Sequence, residues 1–188
     1  MDKGKLIVVS GPSGVGKGTI LKQLYDRPEL RLTRSVSATT RPPRQGETDG
    51  VDYHFLTREE FAQRRASRMF LECFEVYPGG DWYGTLEAPV REALDRGDSV
   101  VLEIDVKGAD EVRRRYPDAV SIFILPPDRA TLQKRLAGRG TESAEAFAKR
   151  LAQAESELES ADRYDYRIIN DRLENAVAEF QRVLTHKN

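Results

Sequence analysis

Residues 5–19 read KLIVVSGPSGVGKGT, so Gly11, Gly16 and Lys17 set out G-x-x-x-x-G-K directly after an apolar, β-branched run. These residue types at this spacing can hold phosphate. Pro12, Ser13, Gly14 and Val15 fill the interval, and the glycines let successive backbone N–H groups turn inward as an anion nest. The next residues, TILKQLY, read as a helix whose N-terminus adds the positive end of its dipole. Lys17 supplies a full charge to the β- and γ-phosphates. Gly18 stands where the pattern has a Ser or Thr for Mg2+, and Thr19 follows it. A metal here is held through water, by Thr19, or mostly by the nucleotide's own phosphates.

A second anion site is expected at residues 41–53, where Arg41 and Arg44 flank two prolines and Tyr53 follows. Planar guanidinium forks suit phosphate oxygens. Other chemistry is thinly supplied. His54 and His186 are the only histidines and Cys73 the only cysteine, which argues against zinc clusters, internal disulfides and most histidine-based triads.

Four short apolar runs, 6–9, 100–104, 121–125 and 167–169, suit strands of a parallel sheet buried on both faces. Helical patterns alternate with them at 86–97, 128–137 (with Asp128 as N-cap), 143–161 and the C-terminal segment through Leu173, Val177, Phe180 and Leu184. Strand–helix alternation predicts an α/β fold with a parallel sheet and right-handed crossovers. Residues 34–85 break that pattern. They hold a Pro/Gly-rich stretch, a helix opening on the capping box Thr57–Glu60, and the alternating run FLECFEVY, which reads as a half-exposed strand before the turn PGGD. A small β-rich lobe inserted in one α/β domain is the expectation.

The 188 residues carry 30 Lys and Arg against 31 Asp and Glu, a net charge of -1. That balance argues against a nucleic-acid binder or a polybasic membrane anchor. The four-residue apolar run near the N-terminus is short of a signal peptide's core, and no window approaches a membrane span. A cytoplasmic setting fits the single cysteine. The basic residues nevertheless collect at the cradle, at 34–44 and at 129–150, while Glu155, Glu157 and Glu159 follow on the next helix. A local electropositive cleft for nucleotides is therefore compatible with near-neutral charge.

The segments GPSGVGKGT, SVSATTRPPRQGETDGVDY, FLECFEV, WYGT, VVLEIDVKGA, IFILPP, RLAGRGTES and IIND occur in that order over nearly the whole chain. Together they resemble the guanylate kinase family of P-loop nucleoside-monophosphate kinases. The resemblance implies Mg2+-dependent transfer of the ATP γ-phosphoryl group to GMP, in purine nucleotide metabolism. It also implies a core of residues 1–33, 86–135 and 156–188, a GMP-binding lobe at 34–85 and a lid at 136–155. Residues 11–19 match the family's ATP-phosphate loop. Arg41, Arg44, Tyr53 and Tyr83 match the groups on the GMP phosphate. Glu72 matches the guanine-reading carboxylate, Ser37 and Thr85 the hydroxyls beside the base, and Asp105 a further guanine contact. Guanine offers two adjacent donors, N1–H and the 2-amino group, which one carboxylate can accept together. Arg135, Arg139 and Arg150 fall where lid arginines close over the transferring phosphates. Asn170 matches a residue near the donor's adenine or ribose, and equally reads as a turn or N-cap residue. Such a reaction needs positioning and charge neutralisation rather than an activated side chain. A non-catalytic guanylate-kinase-like interaction module and a kinase for another acceptor are the competing readings. The intact Gly11, Gly16 and Lys17 and the full lobe motif stand against them.

Overall fold

The computed structural model describes residues 4–76, 79–137 and 144–185. Its main sheet holds β1 (Leu6–Ser10), β2 (Leu32–Arg34), β7 (Ser99–Glu103), β8 (Val120–Leu125) and β9 (Tyr166–Ile169) in the order β2-β7-β1-β8-β9, all parallel. β1 explains why the strand is apolar throughout. Leu6 and Val8 face one core with Val90, Ala93, Ala109 and Val112, while Ile7 and Val9 face the other with Ile20, Leu21, Leu24 and Phe180. The first core is covered by helices α3 (Glu87–Asp95) and α4 (Val106–Arg115). The second is covered by α1 (Lys17–Tyr25) and α7 (Leu173–Thr185).

β1 lies between β7 and β8, so crossovers leave it to both sides and a crevice opens beyond the carboxyl ends of these strands. The phosphate-loop sequence falls at that point. β2 was not among the expected strands, because LTR is too short and too polar to signal one. Its pairing with β7 comes from the neighbour.

The second sheet, β4-β3-β6-β5, is built from β3 (Ser37–Thr39), β4 (His54–Phe55), β5 (Phe70–Glu75) and β6 (Trp82–Leu86). Helix α2 (Arg58–Ala66) packs on it. Its capping box is made reciprocally: Thr57 Oγ1 accepts from Glu60 N–H at 3.1 Å, and Glu60 Oε2 accepts from Thr57 N–H at 2.8 Å. Phe61 stacks on Phe70 with centroids 4.4 Å apart, sealing a small core with Ala38, Cys73 and Trp82. The expected half-exposed alternation of β5 is interrupted. Phe70 pairs with Leu86 and Glu72 with Thr85, leaving Leu71 as a bulge residue. Helices α5 (Arg129–Ala137) and α6 (Ala144–Leu158) pack together through Leu132, Leu136, Leu151 and Ala154. Asp128 accepts from Thr131 N–H at 2.7 Å, as its N-cap reading requires. Among the described residues no helix is long and apolar enough to cross a membrane.

Candidate active site

The loop after β1 carries Gly11 at φ 145°, Gly14 at φ 80° and Gly16 at φ 100°. Two of these positions have no room for a side chain. A Cβ on Gly11 would stand 2.5 Å from the Ile124 carbonyl oxygen, and one on Gly16 would stand 2.5 Å from Asn170 Nδ2. Gly16 also N-caps α1 without any side-chain hydrogen bond, so the helix start presents backbone N–H groups to a ligand. Lys17 Nζ donates to the Gly11 carbonyl at 2.6 Å and the Pro12 carbonyl at 3.3 Å, which folds the ammonium over the loop.

The cradle opens on a cavity of about 550 Å3, lined by Gly11, Ser13, Gly14 and residues 16–19 on one side. Ser37, Tyr53, Glu103, Asp105 and Glu157 line the other. Ser37, Tyr53 and Asp105 also border a smaller cavity of about 160 Å3 that ends at Glu72, Phe74 and Tyr83. These shared residues set the phosphate loop and the second sheet on neighbouring cavities.

That sheet arranges its polar residues by register. Ser37 on β3 pairs with Thr85 on β6, and Thr85 pairs with Glu72 on β5, so the three form one cross-strand row. Glu72 is 3 % exposed. Its Oε1 accepts from Thr85 Oγ1 at 2.7 Å, while buried Oε2 has no hydrogen-bond partner among the described residues. Burial pushes its carboxyl up to about 7, with the Thr85 hydrogen bond opposing and nearby Asp105 adding to the rise. Asp105 is likewise raised by burial, against the hydrogen bond its Oδ1 accepts from Gly108 N–H at 2.8 Å. The strand expected over 100–104 ends at Glu103, and Asp105 N-caps α4.

Arg41 sits between Glu47, 2.9 Å away, and the Tyr53 ring, 5.5 Å from its guanidinium carbon. The Glu47 hydrogen bond raises the guanidinium above its usual range. Tyr53 meets Tyr83 edge-on at 6.0 Å. Arg44 is exposed, with its backbone N–H given to Glu47 Oε2 at 2.7 Å. One carboxylate thus organises both arginines, and no motif had singled out Glu47.

The expected donor-side residues divide. Arg150, on α6, borders a cavity of about 1000 Å3 with Phe74, Val76, Lys107 and Glu157, facing the small sheet. Arg139 lies outside the described residues. Arg135 and Asn170 are placed behind the phosphate loop. Asn170 Nδ2 donates to the Val15 carbonyl at 2.8 Å, Arg135 Nη1 to the same oxygen at 3.2 Å, and Arg135 Nη2 to the Asn170 carbonyl at 3.2 Å. Glu157, grouped by sequence with acids away from the cleft, lines it.

The family model for guanylate kinase matches residues 3–187. The chain belongs to the guanylate kinase family. Guanylate kinase of Carboxydothermus hydrogenoformans is 50% identical over 185 residues, covering 98% of this chain and 89% of the relative. That of Symbiobacterium thermophilum is 51% identical over 183 residues, covering 97% and 85%. The crystal structure of guanylate kinase from Anaplasma phagocytophilum superimposes with a TM-score of 0.77 at 32% identity, covering 97% of this chain and 85% of that one. The guanylate kinase fold therefore accounts for both sheets and for the cleft between them.

Proposed function

We propose that this member of the guanylate kinase family, an ATP:GMP phosphotransferase, binds ATP phosphates in the 11–19 loop and GMP against the second sheet, as domain division 1–33, 34–85, 86–135, 136–155 and 156–188 implies. The observation that carries this assignment is the row Ser37–Thr85–Glu72 at the far end of a cleft that begins at Lys17. Glu72 lines that end and its Oε2 has no hydrogen-bond partner among the described residues, and guanine's adjacent N–H donors satisfy a carboxylate there. Adenine lacks the pair and would leave a buried acceptor unmatched.

The GMP phosphate is held by Arg41, Arg44, Tyr53 and Tyr83, and its oxygen is itself the nucleophile. A new O–P bond forms to the γ-phosphorus as the bond to the β-phosphate oxygen breaks, leaving ADP. No side chain is acylated or phosphorylated. Lys17, with Arg139 and Arg150 from the lid, opposes charge on the transferring group, and lid closure excludes water. Thr19 and Glu103 share the cavity with Lys17, and their hard oxygens suit Mg2+ bound mainly through nucleotide phosphates. When bound, Mg2+ neutralises the β- and γ-phosphate oxygens. A cytoplasmic setting accompanies this reading.

A coupled ADP-release assay with GMP, AMP, CMP and UMP tests the acceptor. GMP should exceed AMP by ~10⁴ in kcat/KM. Comparable turnover of AMP would remove guanine from the proposal.

A further inference from the structure

The bulge in β5 has a geometric consequence. Leu71 packs in the main core and Glu72 faces the cleft, while Phe70 and Cys73 share the small core under α2. A regular strand sends neighbours to opposite faces, so it could not keep Phe70 and Cys73 together and aim Leu71 and Glu72 away from them. The extra residue at Leu71 makes this possible.

α4 holds that bulge. Arg115 Nη1 donates to the carbonyls of both Phe70, at 3.1 Å, and Leu71. Its Nη2 reaches Glu87 Oε2 at 3.2 Å. Glu87 follows β6 directly, and its Oε1 accepts from Tyr116 Oη at 2.9 Å and Arg91 Nη2 at 2.6 Å. The network therefore ties together the ends of the two strands that carry Glu72 and Thr85. Seven residues before Arg115, on the same face of α4, Gly108 leaves the space that Glu72 occupies. A Cβ there would stand 3.0 Å from Glu72 Oε2 and 3.3 Å from its carboxyl carbon.

We propose that Arg115 is a positioning residue for guanine recognition: by clamping the Phe70–Leu71 bulge to α4 it aims the Glu72 carboxylate at the acceptor base. This rests on the reading of Glu72 as the guanine acceptor. Arg115 lies outside the cleft linings and touches no reacting atom, so its influence is confined to acceptor recognition.

The test compares Arg115→Met, Arg115→Lys and Glu72→Gln in steady-state kinetics with GMP and IMP, which lacks the 2-amino group. Arg115→Met should raise KM for GMP about tenfold and lower the preference for GMP over IMP in proportion, with kcat and the KM of ATP within about twofold of native. Arg115→Lys retains the charge on a single donor nitrogen but not the planar fork, so it should raise KM for GMP by about threefold. Thermal melting shows whether each variant is folded. Native GMP kinetics in folded Arg115→Met, or equal rises in both substrates' KM, overturns the proposal. If Arg115→Met does not fold, Arg115→Lys decides, and native GMP kinetics there overturns it as well. Glu72→Gln separates the two levels. A native KM for GMP in that variant removes the guanine reading itself, whereas an impaired Glu72→Gln beside a native-like Arg115→Met removes only the role of Arg115.

Discussion

Thr85 Oγ1 donates a 2.7 Å hydrogen bond to Glu72 Oε1, so one oxygen of the buried carboxylate is spoken for and the other has no hydrogen-bond partner among the described residues. On the proposed reading, that bond leaves Oε2 for the base. Thr85→Val keeps the shape and removes the donor. An unmatched buried acceptor costs about 1–3 kcal/mol, so KM for GMP should rise roughly five- to 150-fold while KM for ATP stays put. Equal GMP kinetics in the two proteins would show that the hydroxyl does not orient Glu72.

The raised carboxyl of Glu72 predicts a pH dependence. Its folded value of about 7 lies above the ordinary 4.5, chiefly through burial. Its contribution to stability is therefore fully present below about pH 4.5 and is lost as pH rises through 7, a cost on the order of 3 kcal/mol for the ionised form. Two N–H donors from guanine require that ionised form. Inhibition by guanosine, which has no phosphate to titrate, should strengthen about tenfold from pH 6 to pH 8 and then level off. A flat profile across that window contradicts the assignment.

Glu47 should matter to GMP without touching the base. It holds Arg41 at 2.9 Å and the Arg44 backbone at 2.7 Å, fixing the loop that carries both guanidinium groups. Glu47→Ala should raise KM for GMP by about three- to tenfold through lost preorganisation, with kcat nearly unchanged. A fall in KM would instead mark Glu47 as a competitor of the phosphate.

Behind the phosphate loop, Asn170→Ala removes the 2.8 Å bond to the Val15 carbonyl and leaves that oxygen to Arg135. The expected result is an ATP KM about tenfold higher with GMP KM preserved. Gly16→Ala acts from the other side of the same contact. Its φ of 100° and the 2.5 Å approach to Asn170 Nδ2 should abolish ATP binding, as read by calorimetry.

Lys17→Met should leave the fold intact, since the side chain is only half-buried, and lower kcat by at least ~10²-fold. Turnover within a few-fold of native would show that the ammonium, held at 2.6 Å from the Gly11 carbonyl, does not act on the transferring group.

Much of this was legible in the chain itself. The cradle is local in its signal: glycine spacing, one lysine and a flanking strand and helix announce it within fifteen residues. Strands such as Leu6–Ser10 and Val120–Leu125 announce themselves because burial on both faces demands unbroken apolar runs. What stayed hidden depends on contacts between distant residues. β2 is a strand because β7 offers it a ladder, and Asn170 grips Val15 across a separation of 155 positions. Alternation could not foretell that the FLECFE strand carries a bulge at Leu71, since the carbonyls it frees are satisfied by Arg115, on a helix more than forty residues further on. The sequence alone determined the chemistry available, a phosphate nest and a carboxylate for paired donors. Tertiary structure alone decided where that carboxylate sits, because pairing of β5 with β6 sets its register, and packing against α4 adds to its burial.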